Sequence, residues 1–195
     1  MWNPFLWLFP KKFLGIDVGT SFIKLVEVAK AGSRKKLENY GIFQAAALYE
    51  KPFRTFEKST LLLSSDDIAR AIRAILTEAK IKTRQAVFSI PDFSTFFTSF
   101  DLPPMTKEEL PSAVDFAARS HVPLPLAEVT IDWQIISEEP KTGTRVLLVA
   151  VPNEVINQYK RIAQLACLEL FALEAEVFGL IRSLVKEESR ETLAL

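Results

Sequence analysis

Apolar and polar side chains alternate along two short stretches near the start of the chain, residues 14–18 and 23–28. Alternation with a period of two is the pattern of a half-buried β-strand. Gly19, Thr20 and Ser21 lie between the two stretches and are typical of a tight turn. The sequence therefore predicts a β-hairpin with its turn at these three residues.

Similar patterns predict the elements that follow the hairpin. Residues 36–44 suit a third antiparallel strand, whereas 45–65 show no clean period and are predicted to be a loop. A helix with an apolar stripe is predicted from Asp66, and Ser65 or Asp66 itself is its predicted cap. A short apolar strand is predicted at 86–90.

A second group of elements is predicted in the middle of the chain. It comprises a strand at 94–102, a helix after residue 106, strands at 129–137 and 145–151, a helix capped by Asn153 and a strand at 168–174. Pro111 would fall a turn inside the first helix, which is therefore expected to begin later or to kink. With a last helix at 177–188, the elements predict a mixed α/β (α+β) fold in which residues 92–174 form an inserted unit.

Composition and charge narrow the class of protein. The 195 residues are 49% hydrophobic, which indicates a globular chain of one large domain or two small ones. Lysine plus arginine, 24, equal aspartate plus glutamate, 24, so the charge balance does not indicate a nucleic-acid partner. The single cysteine, Cys167, excludes an intramolecular disulfide, fits the cytoplasm and is expected to be a small buried apolar residue.

Residues 1–12 form a separate aromatic segment. Its large apolar residues include Trp2, Phe5, Trp7 and Phe9, and two lysines end it. The segment is too short to span a bilayer and lacks the features of a signal peptide. It suits the headgroup region of a membrane, and a tail packed on the domain or a disordered end fits the same residues.

The predicted hairpin turn is the main candidate for chemistry. Asp17 comes directly before it, Gly19 has no side chain, and Thr20 and Ser21 supply hydroxyls. Such a turn can direct backbone N–H groups at an anion while the carboxylate holds Mg²⁺ through water. A plain hairpin, in which Asp17 and Thr20 satisfy turn amides, is the interpretation that these residues favour by themselves.

The residues from Asp17 to Ser21, with Lys24 following, resemble the first phosphate-binding motif of the actin, Hsp70 and sugar-kinase superfamily. More narrowly, residues 14–28 are similar to the opening of the PilM family of type IV pilus assembly proteins. Three later stretches resemble that family in the same order, at 102–110, 121–135 and 146–176. The resemblance covers nearly all of the chain after Lys12.

This resemblance implies an actin-like (ribonuclease H-like) half-domain. Residues 13–91 and 175–195 would form the core subdomain, and 92–174 would be the inserted subdomain that FtsA and PilM share. ATP and Mg²⁺ are the implied cofactors, with Asp17 holding Mg²⁺ through water. The implied phosphate-binding residues are Asp17, Gly19, Thr20, Ser21 and Lys24.

The superfamily builds the other side of its nucleotide site from a second Asp-x-Gly hairpin and a glycine pair. The 195 residues contain neither motif. The chain is therefore expected to correspond to the first half of a PilM-like protein, and to bind ATP weakly or not at all at this length.

Two functions fit the resemblance. The first is a cytoplasmic actin-like scaffold, peripheral at the inner membrane, which docks the cytoplasmic N-terminal tail of a PilN-like membrane protein. The second is an ATPase or phosphotransferase of the same superfamily, so the sequence leaves open whether this form is an enzyme. An FtsA-like filament is a further alternative, although FtsA usually carries its membrane helix at the other end of the chain.

Overall fold

The computed structural model describes residues 11–32, 34–44, 63–139 and 143–185. The described elements, in chain order, are β1 Lys11–Val18, β2 Phe22–Ala31, β3 Arg34–Gln44, α1 Ser65–Glu78, β4 Gln85–Ile90, β5 Phe96–Leu102, α2 Leu110–His121, β6 Val129–Glu139, β7 Gly143–Pro152, α3 Asn153–Leu165, β8 Glu169–Ala175 and α4 Glu176–Leu184. They form two compact units, one of residues up to Pro91 and from Gln158 onward, the other of Asp92–Asn157.

The first unit is built on a five-stranded sheet with the order β3-β2-β1-β4-β8. The predicted hairpin is present, because β1 and β2 pair antiparallel from Lys11–Lys30 to Val18–Ile23. β3 continues the antiparallel meander, whereas β4 lies parallel to β1 and β8 parallel to β4. The carboxyl ends of β1, β4 and β8 consequently meet at one edge of the sheet.

One face of this sheet forms the core of the first unit. Leu14, Ile16 and Leu25 are buried on it and alternate with more exposed residues, as a half-buried sheet requires. α1 packs against β2 and β3 through an apolar stripe that includes Ile68 and Ile72, both fully buried. The helix cap is Ser64, one residue before Ser65, the nearer of the two predicted caps. The Ser64 hydroxyl accepts a 3.2 Å hydrogen bond from the Asp67 amide.

The placement of β8 differs from the predicted insertion. The sequence assigned residues 168–174 to the inserted unit, but β8 pairs with β4 from Gln85–Glu169 to Ile90–Ala175. The inserted unit therefore ends at Asn157 rather than at Glu174, and the chain from Gln158 belongs to the first unit. A buried apolar strand has the same pattern in either sheet, so periodicity could not assign it.

The second unit is a three-stranded antiparallel sheet, β5-β7-β6, with α2 packed against β5. Glu109, the residue before this helix, accepts hydrogen bonds at its carboxylate from the Thr106 amide, at 2.8 Å, and from the Thr106 hydroxyl, at 3.1 Å. The helix itself begins at Leu110, which puts Pro111 in its first turn, where no intrahelical donor is lost. Gly143 opens β7 at φ 112°, and a Cβ there would lie 2.0 Å from the Leu102 carbonyl oxygen.

The structure contradicts one sequence prediction, for Cys167, and changes one boundary, that of the aromatic segment. Cys167 is exposed, contrary to the prediction: it follows α3 at φ 55°, between the buried residues Ala166 and Leu168. Residues 1–10 lie outside the described part of the chain, while Lys11 and Lys12 belong to β1 rather than to a separate segment. Among the described helices, none combines the length and the apolar character needed to cross a membrane.

Candidate functional site

Three side chains from neighbouring strands meet at the carboxyl end of β1. Asp17 is in register with Lys24 of β2 and with Ser89 of β4. Lys24 Nζ lies 3.0 Å from Asp17 Oδ2, and the Ser89 hydroxyl donates a 2.9 Å hydrogen bond to Asp17 Oδ1. The structure thus brings together Asp17 and Lys24, two residues that the sequence singled out, and adds Ser89.

Ser89 was not predicted as a site residue. One feature of the sequence could have identified it: Ser89 is the one polar residue in the strand Ala86–Ile90, which ends at Pro91. A polar side chain in an apolar strand needs a hydrogen-bond partner when it is half-buried. The partner could not be identified before the parallel pairing of β1 and β4 was known.

The geometry of the hairpin turn explains why position 19 is a glycine. The Gly19 amide donates a 3.0 Å hydrogen bond to the Phe22 carbonyl, which closes the turn. A Cβ on Gly19 would lie 3.1 Å from that same carbonyl oxygen, closer than ordinary contact. Thr20 and Ser21 are exposed beyond it. The Gly19 amide is therefore engaged within the turn, and the exposed hydroxyls are the groups that this turn presents to solvent.

A cavity of about 510 Å³ adjoins Asp17 on the face of the sheet opposite the core. On β1 and β4 its lining includes Gly15 and Val87, which alternate with core residues, and also Ile16 and Phe88, which belong to the core. α4 forms the other wall through Gly179 and Leu180. Gly15 and Gly179 place no side chain in the space, so the two glycines help to keep it open.

The polar lining of the cavity is acidic. It contains the carboxylates of Asp17, Glu174 and Glu176 and the ammonium of Lys24. Arg182 of α4 forms a two-point ion pair with Glu174, and that hydrogen bonding raises the pKa of the guanidinium. Among the lining residues that the structure describes, three are acidic and one is basic.

The residues fit a magnesium ion held through water. Each Asp17 oxygen accepts one hydrogen bond in the structure and keeps a second lone pair, and the side chain is 35% exposed. Mg²⁺ retains several of its waters and is usually bound by one or two carboxylates together with phosphate oxygens. Within the described ranges, no group of three or more histidine, cysteine or acidic side chains is arranged to hold a metal directly.

A second polar cluster lies inside the sheet and has a structural role. Glu27 is 2% exposed and accepts hydrogen bonds from Asn39, at 2.6 Å, and from Thr83. Lys12 Nζ lies 3.9 Å from its carboxylate. Burial alone would raise the pKa of Glu27, but these hydrogen bonds and the lysine charge outweigh it and lower the pKa. The cluster joins β1, β2 and β3 to the residues before β4.

Comparison with solved structures assigns the fold to the actin-like class. A chain of the PilM-PilN type IV pilus biogenesis complex matches 88% of this chain with a TM-score of 0.72 and 22% identity. The cytoplasmic domain of EpsL, an inner-membrane component of the type II secretion system of Vibrio cholerae, matches 84% with a TM-score of 0.53 and 11% identity. This chain covers 49% of the first and 57% of the second, so it spans about half of each.

The family is narrower than the fold class. Residues 15–192 match the family model of the type IV pilus assembly protein PilM. The chain therefore belongs to the PilM family, which confirms the family and the actin-like half-domain predicted from the hairpin motif and the three later stretches.

Proposed function

We propose that this chain is part of a cytoplasmic, actin-like scaffold of type IV pilus assembly, peripheral at the inner membrane. Its partner is the cytoplasmic N-terminal tail of a PilN-like inner-membrane protein. The observation that carries the proposal is the family match over residues 15–192. The likeness to a chain of a PilM-PilN complex, with a TM-score of 0.72, supports the choice of partner.

The proposal includes Mg-ATP as the ligand of the complete protein. Asp17 orients waters of the magnesium ion, and Lys24, whose side chain is 54% exposed, exchanges its ion pair for a phosphate oxygen. The hydroxyls of Thr20 and Ser21 are exposed in the turn beside these groups. A divalent cation between Asp17 and the phosphates would offset the repulsion between this carboxylate and phosphate oxygens.

Binding by the 195-residue chain is expected to be weak. Association must offset lost translational and rotational freedom before any affinity appears. The chain spans about half of the PilM chain that it resembles, so it supplies part of the contacts that a nucleotide would make there. A dissociation constant of about 1 mM, which corresponds to about 4 kcal/mol of binding free energy, is the expected order of magnitude.

The partner assignment is tested with a synthetic peptide. The probe is the cytoplasmic N-terminal segment of the PilN encoded in the same genome, labelled with a fluorophore, and fluorescence anisotropy measures its binding to the chain. A peptide of the same composition in scrambled order is the matched control. Binding of the native peptide at least tenfold tighter than the control supports the proposal, and equal binding of the two contradicts it.

A further inference from the structure

Three lysines lie side by side on β1, β2 and β3, at the end of the first sheet away from Asp17. Lys11 is the register partner of Lys30, and Lys30 is the register partner of Lys35. Directly opposed residues of antiparallel strands point to the same face of a sheet, with Cβ atoms about 4.5–5.5 Å apart. The three lysines are exposed and form a row of like charges across the sheet, the lysine row.

The lysine row differs from the neighbouring lysines in having no acid to balance it. Lys12 points to the other face, where its Nζ lies 3.9 Å from the Glu27 carboxylate and 3.5 Å from that of Glu38. Lys36 pairs with Glu38 at 2.9 Å. Among the described residues, no acid forms an ion pair with the lysine row. Opposed like charges destabilise a sheet, and an anionic partner would remove that cost.

An apolar row lies next to the lysine row on the same face. Phe13 is opposite Val28, and Val28 is opposite Leu37, which is 56% exposed. The ring of Phe171, a residue 60% exposed, lies against that of Phe13 with centroids 5.8 Å apart. Cations beside exposed aromatic and aliphatic side chains are the combination that suits the headgroup region of a membrane.

The lysine row is also continuous in sequence with the aromatic residues at the start of the chain. Lys11 directly follows residues 1–10, which contain Trp2, Phe5, Trp7 and Phe9. Stable attachment to a bilayer usually takes two signals, and apolar insertion with a basic patch is one such pair. The aromatic residues supply the first signal, and the lysine row of the folded sheet supplies the second.

We propose that the lysine row is a docking surface for the anionic headgroups of a lipid bilayer, and that it acts together with the aromatic residues before it. Each ammonium group exchanges repulsion within the row for attraction to lipid phosphates. The proposal rests on the proposed function, because it names the surface that makes the contact with the inner membrane. Lys12 is excluded from this contact by its ion pairs on the other face.

The test is co-sedimentation with vesicles of phosphatidylcholine and phosphatidylglycerol, compared with vesicles of phosphatidylcholine alone. The lysine-row variant carries Lys11→Gln, Lys30→Gln and Lys35→Gln. The control variant removes the same charge from three exposed lysines elsewhere in the chain, through Lys82→Gln, Lys107→Gln and Lys160→Gln.

The parent chain and the control variant should bind the anionic vesicles roughly tenfold more tightly, or more, than the lysine-row variant does. Raising the salt concentration should remove most of this difference, because salt screens the attraction. All three proteins should bind the phosphatidylcholine vesicles equally. Equal binding of the anionic vesicles by the parent chain and the lysine-row variant would overturn the proposal. A parent chain that pellets with neither vesicle would also overturn it, and is the result expected if the row binds an acidic protein or a nucleic acid instead.

Thermal denaturation of the same proteins distinguishes a lost contact from a folding defect. Because opposed like charges weaken a sheet, the lysine-row variant should melt at the temperature of the parent chain or higher. A lower melting temperature would show that the three lysines stabilise the sheet, which contradicts an unbalanced row kept for a partner.

Failure of the lysine row and failure of the proposed function give different results. The fluorescent PilN peptide is titrated into the parent chain and the lysine-row variant. If the peptide binds while the parent chain ignores anionic vesicles, the docking surface is wrong and the scaffold with its PilN-like partner stands. If vesicle binding depends on the lysine row while the peptide does not bind, the docking surface stands and the partner assignment is contradicted.

Discussion

The hydroxyl of Ser89 donates a hydrogen bond of 2.9 Å to the carboxylate of Asp17. The two residues are partners in register on the parallel strands β4 and β1, next to the ends of both strands. The bond ties a strand that precedes the inserted unit to the acid that opens the hairpin turn. It leaves one lone pair on each Asp17 oxygen once Lys24 is also counted.

Replacing Ser89 by alanine should therefore loosen Asp17. A hydrogen bond to a charged group contributes about 1.5–3 kcal/mol, so Ser89→Ala should lower the free energy of unfolding by an amount near the lower end of that range. Chemical denaturation measures it. Ser120→Ala is the control, because the exposed Ser120 hydroxyl donates to a carbonyl of its own helix. Equal effects of the two substitutions would contradict this account of Ser89.

Glu27 should make the stability of the fold depend on pH. Its pKa in the folded state lies below the ordinary value of 4.5, so the ionised form favours folding. This stabilisation is complete above that ordinary value and is lost as the pH falls through the lowered one. At pH 7, Glu27→Gln should destabilise by about 1–3 kcal/mol, because a buried hydrogen-bonded charge is removed.

The same substitution should have less effect at pH 3, because the stabilisation that comes from the lowered pKa of Glu27 diminishes below the ordinary value of 4.5. Urea denaturation at the two pH values makes the comparison, with the exposed Glu78→Gln as the control. A difference between parent and Glu27→Gln that stays constant from pH 7 to pH 3 would show that the charge is not what stabilises the cluster.

Two glycines should respond to alanine in opposite ways. A Cβ on Gly41 of β3 would lie 2.2 Å from Cγ2 of Ile75, a buried residue of α1. Gly41→Ala should destabilise by about 1–3 kcal/mol through overpacking, and Ile75→Val should recover little of it because valine keeps a methyl at each Cγ position. At Gly179 of α4 a Cβ would meet only Glu174 Oε2, at 3.8 Å. Gly179→Ala should stabilise by about 0.5–1 kcal/mol.

Thermal denaturation of the two variants checks this pair of predictions. Ile75→Ala, which removes the Cγ2 methyl, provides a further test in a double variant with Gly41→Ala: the two changes together should cost less than the sum of the separate costs. A stable Gly41→Ala protein would mean that α1 and β3 are not packed as closely as the structure shows.

The aromatic segment at the start of the chain keeps its sequence-based prediction of membrane contact. Burying Trp2, Phe5, Trp7 and Phe9 is worth roughly 1.5–3 kcal/mol for each side chain. Lysine near an anionic surface adds roughly 1 kcal/mol, a part that should fade with salt. Co-sedimentation with anionic vesicles should therefore pellet the chain, and a variant with these four residues changed to serine should stay in the supernatant. Equal pelleting would refute the contact.

Periodicity predicted most of the elements because burial on one face of a strand or helix is a local property of the sequence. Asp17 was identified by its place before the hairpin turn and Lys24 by the resemblance to a phosphate-binding motif, and the hairpin places the two in register. Glu27 shows what local periodicity could not predict. It follows Ile23 and Leu25 at the spacing of the core face, yet its charge argues for exposure, and the sequence does not reveal that Asn39 and Thr83 would satisfy it.

The pairing of β8 shows that periodicity could not predict the sheet topology either. Residues 168–174 were correctly predicted as a strand, but the choice of β4 as partner depends on how α3 returns the chain to the first sheet. The role of Ser89 likewise depends on the pairing of β1 with β4, because Ser89 bonds to Asp17 across 72 residues of sequence.

The central claim is that Asp17 organises a magnesium nucleotide site, and thermal shift in Mg-ATP tests it most directly. At a tenfold excess over the dissociation constant, a ligand stabilises the folded state by about 1.4 kcal/mol. For a chain of this size that is a rise of roughly 3–6 °C in melting temperature. With 10 mM Mg-ATP the parent chain should show this rise, and so should the control Asp101→Ala, which changes an exposed acid of the other unit. Asp17→Ala should fold and show none. An equal rise in Asp17→Ala would contradict the claim, as would no rise in the parent chain.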